Sequence, residues 1–592
     1  MPKIPRYLVT TSDERTWKHD RPVLFLGEWC RLFDRKHIWK DLDAIVASPY
    51  GLGKQQKDID YRQARNLEEK LFPILCKILN EFHHYQYSDR FWQILLGHWF
   101  RRFVDVILNR VNTLRFCLES YKINGTSALS TDEYTLAPVD SNAAIWAFSN
   151  DRWNNALYIR ILNLLNSANF PIDVVPEAKS DLNSSNSITT IEIPLKKRIR
   201  KFAYSTLNQT NRILAKTDNA FIINSYLPVN EVIKLQLALG QMPQLWTSPK
   251  FSTIKYPNLK LRKSLSNKIF ETRNSTLFGI MCSLIFELLP MCYLESFPDL
   301  KEAIKKLPWP KKPKFIFTSN NFDTDEVFKF WAATKVESGC KYIIGQHGNL
   351  YGTCRYRNPS IDEVIADKFL TWGWTDGLPQ HQPAFIFKTA GLKAKTYNSK
   401  GGILLTEVHL PHRINTWDET VEFNEYFADQ KKFINALNSS PRSILTIRLH
   451  SAYSHFKWNE VARWKEFDST LKLDTGIMPI GKAINRSRLV VHSYDSTGIL
   501  ETLSQNIPTL AFWQNGFNQL RDSAIPYYQL LLDAGIVHLS PESVAAKVNE
   551  VWDDVEGWWS QTALQIARKQ FCDKYAKISQ NPTFDLKKII LS

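Results

Sequence analysis

The chain lacks several motifs that would assign a chemistry directly. No CxxC pair occurs among its eight cysteines, which argues against a zinc ribbon, and no HExxH occurs, which argues against a zincin-type site. A P-loop and a GxGxxG sequence at a strand–helix junction are also missing, and we find no convincing DxD between predicted strands. We therefore predict no metal site and no metal-bound diphosphate.

Signals for export or membrane insertion are missing as well. The N-terminus leads directly into a strand-like segment, without the apolar core and cleavage site of a signal peptide. The apolar segment 276–294 carries Glu287 and Pro290, so a buried helix is the better interpretation than a membrane span. The scattered cysteines are typical of reduced, buried thiols. We expect a cytoplasmic protein.

What the chain does have is length, aromatic content and positive charge. Its 592 residues are 44% hydrophobic and 13% aromatic, which predicts more than one globular domain. The net charge of +16 is partly clustered, in runs at 196–201 and 305–314. Each run is either an ordinary solvated surface or a patch that rests on an anionic membrane leaflet. Because the runs lack the aromatic interleaving that is typical of an RNA-binding module, we expect no nucleic-acid partner.

Strand and helix signals alternate along the chain, which predicts an α/β fold with parallel sheets. The alternation is weaker before residue 400, where residues 62–121 are predicted to be helical and residues 171–195 a loop or insertion. From residue 402 it becomes regular through predicted strands at 402–406, 443–450, 488–492 and 508–513. We place the boundary between two domains at residues 395 and 396, giving domains 1–395 and 396–592. Ligands of such sheets bind at the carboxyl ends of the strands.

The strongest candidate site follows the predicted strand 488–492. A polar turn with Ser493, Ser496, Thr497 and Gly498 leads into a helix whose free N–H groups and positive dipole end favour an anion. Glu501 lies one turn into that helix and is positioned to accept a hydrogen bond from a ribose or a base. The alternative is that Ser496 simply caps the helix.

Two further candidates lie at the ends of other predicted strands. Arg448 and His450 share one face of a strand and need a polar partner, either a phosphate or a local carboxylate. Gln346, His347 and Gly348 follow an apolar strand, where His347 is a candidate acid, base or phosphate ligand if the turn is not merely structural.

Weaker candidates lie near the N-terminus. Asp13 and Arg15 follow the first predicted strand, and Glu28 follows the second. Either carboxylate is a candidate base, against the alternative of a surface or capping role.

These motifs resemble the donor-binding half of GT-B glycosyltransferases, closest to capsule-polysaccharide enzymes that use CMP-linked ulosonic acids such as Kdo. Arg448-Leu-His450 and Ser493, Ser496 and Thr497 occupy the positions that hold the nucleotide phosphate there, and the turn at Gln346 is also similar. The whole chain resembles a transferase family found with bacterial O-antigen and surface-carbohydrate genes, through 22–30, 91–100 and 290–295. It departs from the capsule pattern at Ser451, which replaces a proline.

The resemblance implies a GT-B-like fold of two Rossmann-like domains, with helical insertions in the N-terminal half. The N-terminal half would bind a lipid-linked or oligosaccharide acceptor, at a surface that includes Gln346, Asp13 and Arg15. The C-terminal half would bind a nucleotide sugar as substrate, with no cofactor and no metal. His347 and Glu28 are the catalytic candidates. Two alternatives stay open: transfer of glycerol or ribitol phosphate from a CDP-alcohol, and a non-catalytic scaffold of a glycan-assembly complex.

Overall fold

The computed structural model describes residues 4–129, 134–165, 169–175, 216–252, 255–269, 275–392, 397–410 and 422–592. Within these ranges, every strand pairing for which a register is defined is parallel. The α/β class with parallel sheets, predicted from the alternation of strands and helices, is confirmed.

The strands form three sheets, with orders β3-β2-β1-β4-β5, β10-β9-β8-β7-β6 and β13-β12-β11-β14-β15-β16. The first and third orders match the doubly wound arrangement, in which the chain reverses direction beside the first strand of the sheet. The strand bounds are as follows: β1 Arg6–Val9, β2 Val23–Phe25, β3 Ala44–Val46, β4 Ile123–Ala128, β5 Ile172–Val174, β6 Phe221–Ile222, β7 Phe315–Thr318, β8 Lys341–Gly345, β9 Lys368–Thr371, β10 His381–Pro383, β11 Gly402–Thr406, β12 Leu445–Arg448, β13 Lys472–Asp474, β14 Ser487–His492, β15 Thr509–Phe512 and β16 Val537–His538.

Helices connect most of these strands. Their bounds are as follows: α1 Lys36–Trp39, α2 Lys54–His83, α3 Asp89–Ser120, α4 Ser141–Ala147, α5 Asp151–Leu165, α6 Val229–Ala238, α7 Leu259–Ile269, α8 Leu277–Leu288, α9 Phe297–Lys305, α10 Glu326–Glu337, α11 Ile361–Ile365, α12 Phe423–Ala436, α13 Ser439–Ser443, α14 Glu460–Phe467, α15 Ile480–Asn485, α16 Thr497–Ser504, α17 Ile525–Asp533, α18 Pro541–Val551, α19 Val555–Trp559, α20 Thr562–Tyr575 and α21 Pro582–Leu591. No described helix is long and apolar enough to cross a membrane.

The chain divides into two compact units, and the first comprises residues 1–223, 241–316 and 321–341. Its centre is the long helix α3, which buries Trp92, Trp99 and Phe103 along one face. This apolar repeat at helical spacing is why the segment folds as a helix and why it packs against α2 and α10. The segment predicted to be a buried helix contains α8, and its Glu287 pairs with Arg160 (3.0 Å).

The second unit comprises residues 224–240, 317–320 and 342–592 and contains the whole six-stranded sheet. Its central strands β11, β14 and β15 are almost entirely buried, as expected for a parallel sheet covered on both faces. The strand order reverses between β11 and β14: β12 and β13 extend the sheet on one side, and β15 and β16 extend it on the other.

The structure differs from the sequence prediction in the number of sheets. Two Rossmann-like sheets were expected, whereas the described residues form three, because segments between residues 221 and 383 build a five-stranded sheet of their own. Part of the predicted loop at 171–195 is the edge strand β5, and residues 176–195 lie outside the described residues. The basic run at 196–201 also lies outside them, whereas Lys305 of the second run pairs with Glu302 (2.9 Å) on α9.

The first unit contains a buried charged cluster whose removal tests its packing. The Lys329 ammonium donates to Ser141 Oγ (2.8 Å), the Tyr293 hydroxyl (2.8 Å) and Glu326 Oε1 (3.1 Å). Lys329→Met would leave the Glu326 carboxylate buried without its cation, a loss of about 3–5 kcal/mol. We expect the apparent melting temperature to fall by several degrees in a thermal scan. The double variant Lys329→Met/Glu326→Gln should recover part of the loss, and a single variant that melts like the wild type would contradict this role.

Candidate functional site

The predicted turn after β14 lies at the carboxyl end of the strand and leads into α16. Ser496 is the N-cap of α16, and its Oγ accepts from the backbone N–H of Ile499 (3.3 Å). Among the described residues, the backbone N–H groups of Thr497 and Gly498 have no hydrogen-bond acceptor. Since the first N–H groups of a helix have no partner within the helix, this pair is available to an anion.

Ser493 and His492 connect this turn to β11 and α12. The Ser493 hydroxyl donates to the backbone carbonyl of Thr406 (2.8 Å) and lies 2.6 Å from the Tyr426 hydroxyl. His492 is buried, its Nδ1 lies 2.8 Å from Thr406 Oγ1, and burial lowers its pKa to about 3. His492 is therefore neutral at physiological pH and acts as a fixed hydrogen-bonding group that holds β14 to β11.

The predicted turn at residues 346–348 contacts the first turn through the next residue, Asn349. The backbone N–H of Asn349 donates to Thr497 Oγ1 (3.0 Å), and its side-chain amide donates to Asp495 Oδ1 (2.7 Å). A Cβ atom on Gly348 would lie 3.1 Å from Thr497 Oγ1, so the glycine permits this close approach. The structure thus brings together two segments that are separated by almost 150 residues in the sequence.

Gln346 fixes the shape of that turn. Its side-chain oxygen accepts from the backbone N–H of Trp372 (2.9 Å) and from the Trp374 indole (2.9 Å). Its side-chain nitrogen donates to the Gly348 carbonyl (2.9 Å). A fully engaged, buried glutamine is a structural group, so the predicted acceptor-side role of Gln346 would have to be exerted through the turn it holds.

His347 projects from this turn among aromatic side chains. Its Nδ1 lies 2.9 Å from the Tyr351 hydroxyl, and its ring meets the edge of Tyr226 at a centroid distance of 6.1 Å. Tyr226 has a φ angle of +61°, a left-handed conformation that is strained for a residue with a bulky side chain. Strain of this kind is often kept where a side chain must be aimed at a ligand.

Glu501 lies in the second turn of α16, as expected, and pairs with a lysine that sequence reasoning missed. Lys388 Nζ lies 3.1 Å from Glu501 Oε1 and 5.1 Å from the centre of the Tyr226 ring. Burial and Glu501 together raise the pKa of Tyr494 to about 12, so its hydroxyl stays protonated. Lys388, Glu501, Tyr226 and Tyr494 form a polar and aromatic rim around the start of α16.

Arg448 is held by protein groups. It forms an ion pair with Asp474 on the neighbouring strand β13 and donates to the Met478 carbonyl (2.7 Å). This is the local carboxylate pairing that the sequence left open as an alternative to a phosphate. The Asp474 carboxylate largely cancels the positive charge that Arg448 would offer to a ligand.

His450 belongs to a stacked pair of histidines. Its ring lies 3.8 Å from that of His409 and nearly parallel to it, and its Nδ1 accepts from the Ala452 N–H (3.1 Å). Burial and Arg448 lower the pKa of His450, and burial and His450 lower that of His409 to about 4. Both rings are therefore neutral at physiological pH. They lie beyond the ends of β11 and β12, and β11 separates β12 from β14.

A pair of buried carboxyl groups lies in the same region. Glu407 directly follows β11, and Glu460 begins α14; each is at most 6% exposed and has one carboxyl oxygen without a hydrogen-bond partner among the described residues. Burial, and for Glu407 the neighbouring Glu460, raises the two pKa values to about 8 and about 7. Among the residues that the structure describes, no group of three or more potential ligands is arranged to hold a metal ion.

The N-terminal candidates lie in the first unit, at the ends of β1 and β2. Asp13 caps a short 3-10 helix and pairs with Arg15 (2.6 Å). Glu28 begins another 3-10 helix and pairs with Arg31 (2.6 Å). Their partners are local, as the capping and surface interpretation predicts.

Comparison with known proteins identifies a family and several distantly similar structures. The sequence model of the family described as "LIC12162 family transferase" matches residues 6–590. No curated protein matches the sequence. The structure of spinosyn rhamnosyltransferase SpnG in complex with spinosyn aglycone is similar over 63% of this chain and 100% of its own, with 11% identity and a TM-score of 0.31.

The carboxyl pair predicts a pH-dependent stability. The pKa of Glu407 is raised in the folded state, so the folded protein keeps this carboxyl protonated at pH values at which the unfolded chain has already lost the proton. The free energy of unfolding therefore falls as pH rises from the ordinary glutamate pKa toward about 8. Below the ordinary pKa both the folded and the unfolded chain are protonated, and the effect vanishes. Glu407→Gln should therefore raise the apparent melting temperature by about 3 °C or more at about pH 8, and by much less at about pH 5. The exposed Glu425→Gln is the control, and an equal effect of Glu407→Gln at both pH values would be inconsistent with a buried, neutral Glu407.

Proposed function

Because the chain belongs to the LIC12162 family of transferases, we propose that it is a glycosyltransferase with a GT-B-like arrangement that binds the phosphate of a nucleotide-activated sugar at the start of α16. The single observation that carries the proposal is the junction of the turns at 346–349 and 493–498. It places two unbonded helix N–H groups at the point where a doubly wound sheet ordinarily binds its ligand.

The proposed chemistry follows from the charges around that junction. The helix terminus supplies hydrogen bonds and partial positive charge to the phosphate, which stabilises the leaving nucleotide without requiring a metal. Lys388 is the positively charged residue of the rim. We propose that the Lys388–Glu501 pair hydrogen-bonds to the polar groups of the nucleoside. His347 is the group we assign to the reacting centre, as a base or as a contact to the donor phosphate.

The donor and acceptor classes rest on the sequence resemblance. We propose a nucleotide-linked sugar, with a CMP-linked ulosonic acid as the first candidate, and a surface glycan such as O-antigen or capsule as the acceptor. The enzyme would act in the cytoplasm at the inner face of the membrane. The acceptor would be bound by residues 1–395 and the donor by residues 396–592, with the turn at 346–349 and Lys388 completing the donor site.

A negative charge introduced at the start of α16 tests the proposed phosphate site, and the effect is measured as a change in nucleotide affinity. Thr497→Asp keeps an oxygen that can accept the Asn349 N–H, and a carboxylate at the first helical position favours the helix itself. It should nonetheless weaken the binding of CMP, CDP, UDP or GDP, whichever titrates the wild type in calorimetry, by about tenfold or more because it repels the phosphate.

The matched control for this variant is Thr562→Asp. Thr562 is the first residue of α20 and is exposed, so the same change of charge occurs at an equivalent helical position. Binding should be unchanged in the control, and thermal stability should be preserved in both variants. The site would be excluded if Thr497→Asp bound nucleotide as the wild type does, and the transferase proposal would fail if none of the four nucleotides bound.

The basic runs are tested separately with lipid vesicles. Replacing the lysines and arginines of 196–201 and 305–314 by glutamine should abolish sedimentation with phosphatidylglycerol vesicles and leave nucleotide binding intact, because the attraction is electrostatic. Vesicles of phosphatidylcholine alone serve as the neutral control. Undiminished binding of the variant to the anionic vesicles would show that the runs do not hold the enzyme at a membrane.

A further inference from the structure

The second unit contains a cavity at the opposite end of the sheet from the start of α16. Its volume is about 410 Å³, within the range of small-molecule sites. It is lined by residues at the amino ends of β14 and β15, by Tyr397 and Asn398, and by residues of α19 and α20. Since β14 has six residues, the cavity and the turn at 493–498 lie ~20 Å apart along the strand.

Two aromatic rings of the cavity wall are fixed by hydrogen bonds. The Trp559 indole donates to Asn506 Oδ1 (2.9 Å), and the Tyr397 hydroxyl accepts from Arg488 Nε (3.1 Å). Rings held in place in this way bind without losing further conformational freedom. Flat aromatic surfaces suit the C–H face of a sugar ring, and they complement its apolar side.

The other lining residues are the apolar Ile484, Ile507 and Pro508 together with side chains that bear neutral amides or hydroxyls and one carboxylate. The side chains of Asn485 and Glu556 are exposed and make no hydrogen bond to other described residues, and the Ser560 hydroxyl retains its capacity to accept. These groups can donate to and accept from the hydroxyls of a sugar. A hydrocarbon chain in the cavity would remove water from these polar groups without offering them hydrogen bonds, which costs free energy.

The charge of the lining argues against a nucleotide or a phosphate. Among the described residues that line the cavity there is no lysine, arginine or histidine, while Glu556 carries a negative charge. The neighbouring Arg488 guanidinium is engaged by Tyr397, by the Asp553 carbonyl (3.1 Å) and by the ring of Trp552. The electrostatics therefore disfavour an anionic ligand and permit an uncharged one.

We infer that this cavity is a second carbohydrate site, which binds a neutral sugar residue independently of the nucleotide site at the start of α16. An enzyme that extends a glycan gains affinity when a second residue of the chain is held at a distance from the reacting end, because the two contacts act together. The cavity would then anchor the glycan chain through one of its uncharged sugars.

Saturation-transfer NMR with glucose, galactose, N-acetylglucosamine, mannose and rhamnose tests the inference. We expect at least one of these sugars to receive saturation from the wild-type protein and to do so equally in the presence of CMP. Asn485→Trp and Ser560→Trp place a large side chain at exposed positions of the cavity wall, so they should weaken that binding by about tenfold or more.

Two control variants and the melting temperature separate this site from the nucleotide site and from unfolding. Gln570→Trp introduces the same side chain at an exposed position of α20 outside the cavity lining and should bind as the wild type does. Thr497→Asp should lose nucleotide and keep the sugar. The inference is overturned if no sugar of the panel binds, or if both cavity variants, with unchanged melting temperature, bind it as well as the wild type.

Discussion

The start of α16 is held in place by the two hydrogen bonds that Asn349 makes to the turn before it. One bond, from its backbone, holds Thr497, and the other, from its side chain, holds Asp495. Burial raises the pKa of Asp495 to about 6, while Asn349 and the Tyr528 hydroxyl act in the opposite direction by stabilising its charged form. Through this contact, the shape imposed by Gln346 on one turn is transmitted to the start of the helix.

Charge decides how the carboxyl ends of this sheet can bind an anion. The histidines at this edge, His409, His450 and His492, are held neutral by burial, and Arg448 is balanced by Asp474. Because Lys388 is likewise paired with Glu501, the positive potential comes mainly from the helix terminus, at the junction of the two turns. A phosphate bound there would not compete with a protein carboxylate for the N–H groups of α16.

Much of the local structure was predictable from the sequence, since it depends on short-range pattern. The strand ending at His492 and the helix after the polar turn were predicted, and Ser496 caps that helix, as the alternative interpretation of the turn predicted. A strand followed by a capped helix is recognised from an apolar run, a serine and a glycine, which are all close together in the sequence.

The missed features all depend on contacts between distant segments. Lys388 and Tyr226 reach Glu501 and His347 from parts of the chain that carry no motif. The partner of Arg448 lies on the three-residue strand β13, which is too short to be recognised from hydrophobic pattern. The middle sheet was not recognised as a separate sheet, because the pairing of its strands depends on contacts between distant segments and not on local pattern.

Hydrogen–deuterium exchange with and without a bound nucleotide tests whether the start of α16 binds the phosphate. A nucleotide phosphate at the start of α16 should slow exchange in peptides that cover residues 342–351 and 493–504, because it occupies the unbonded N–H groups and tightens the junction that Asn349 makes. Binding of nucleotide with protection confined to other parts of the chain, such as the peptides of β1 and β2, would contradict the account.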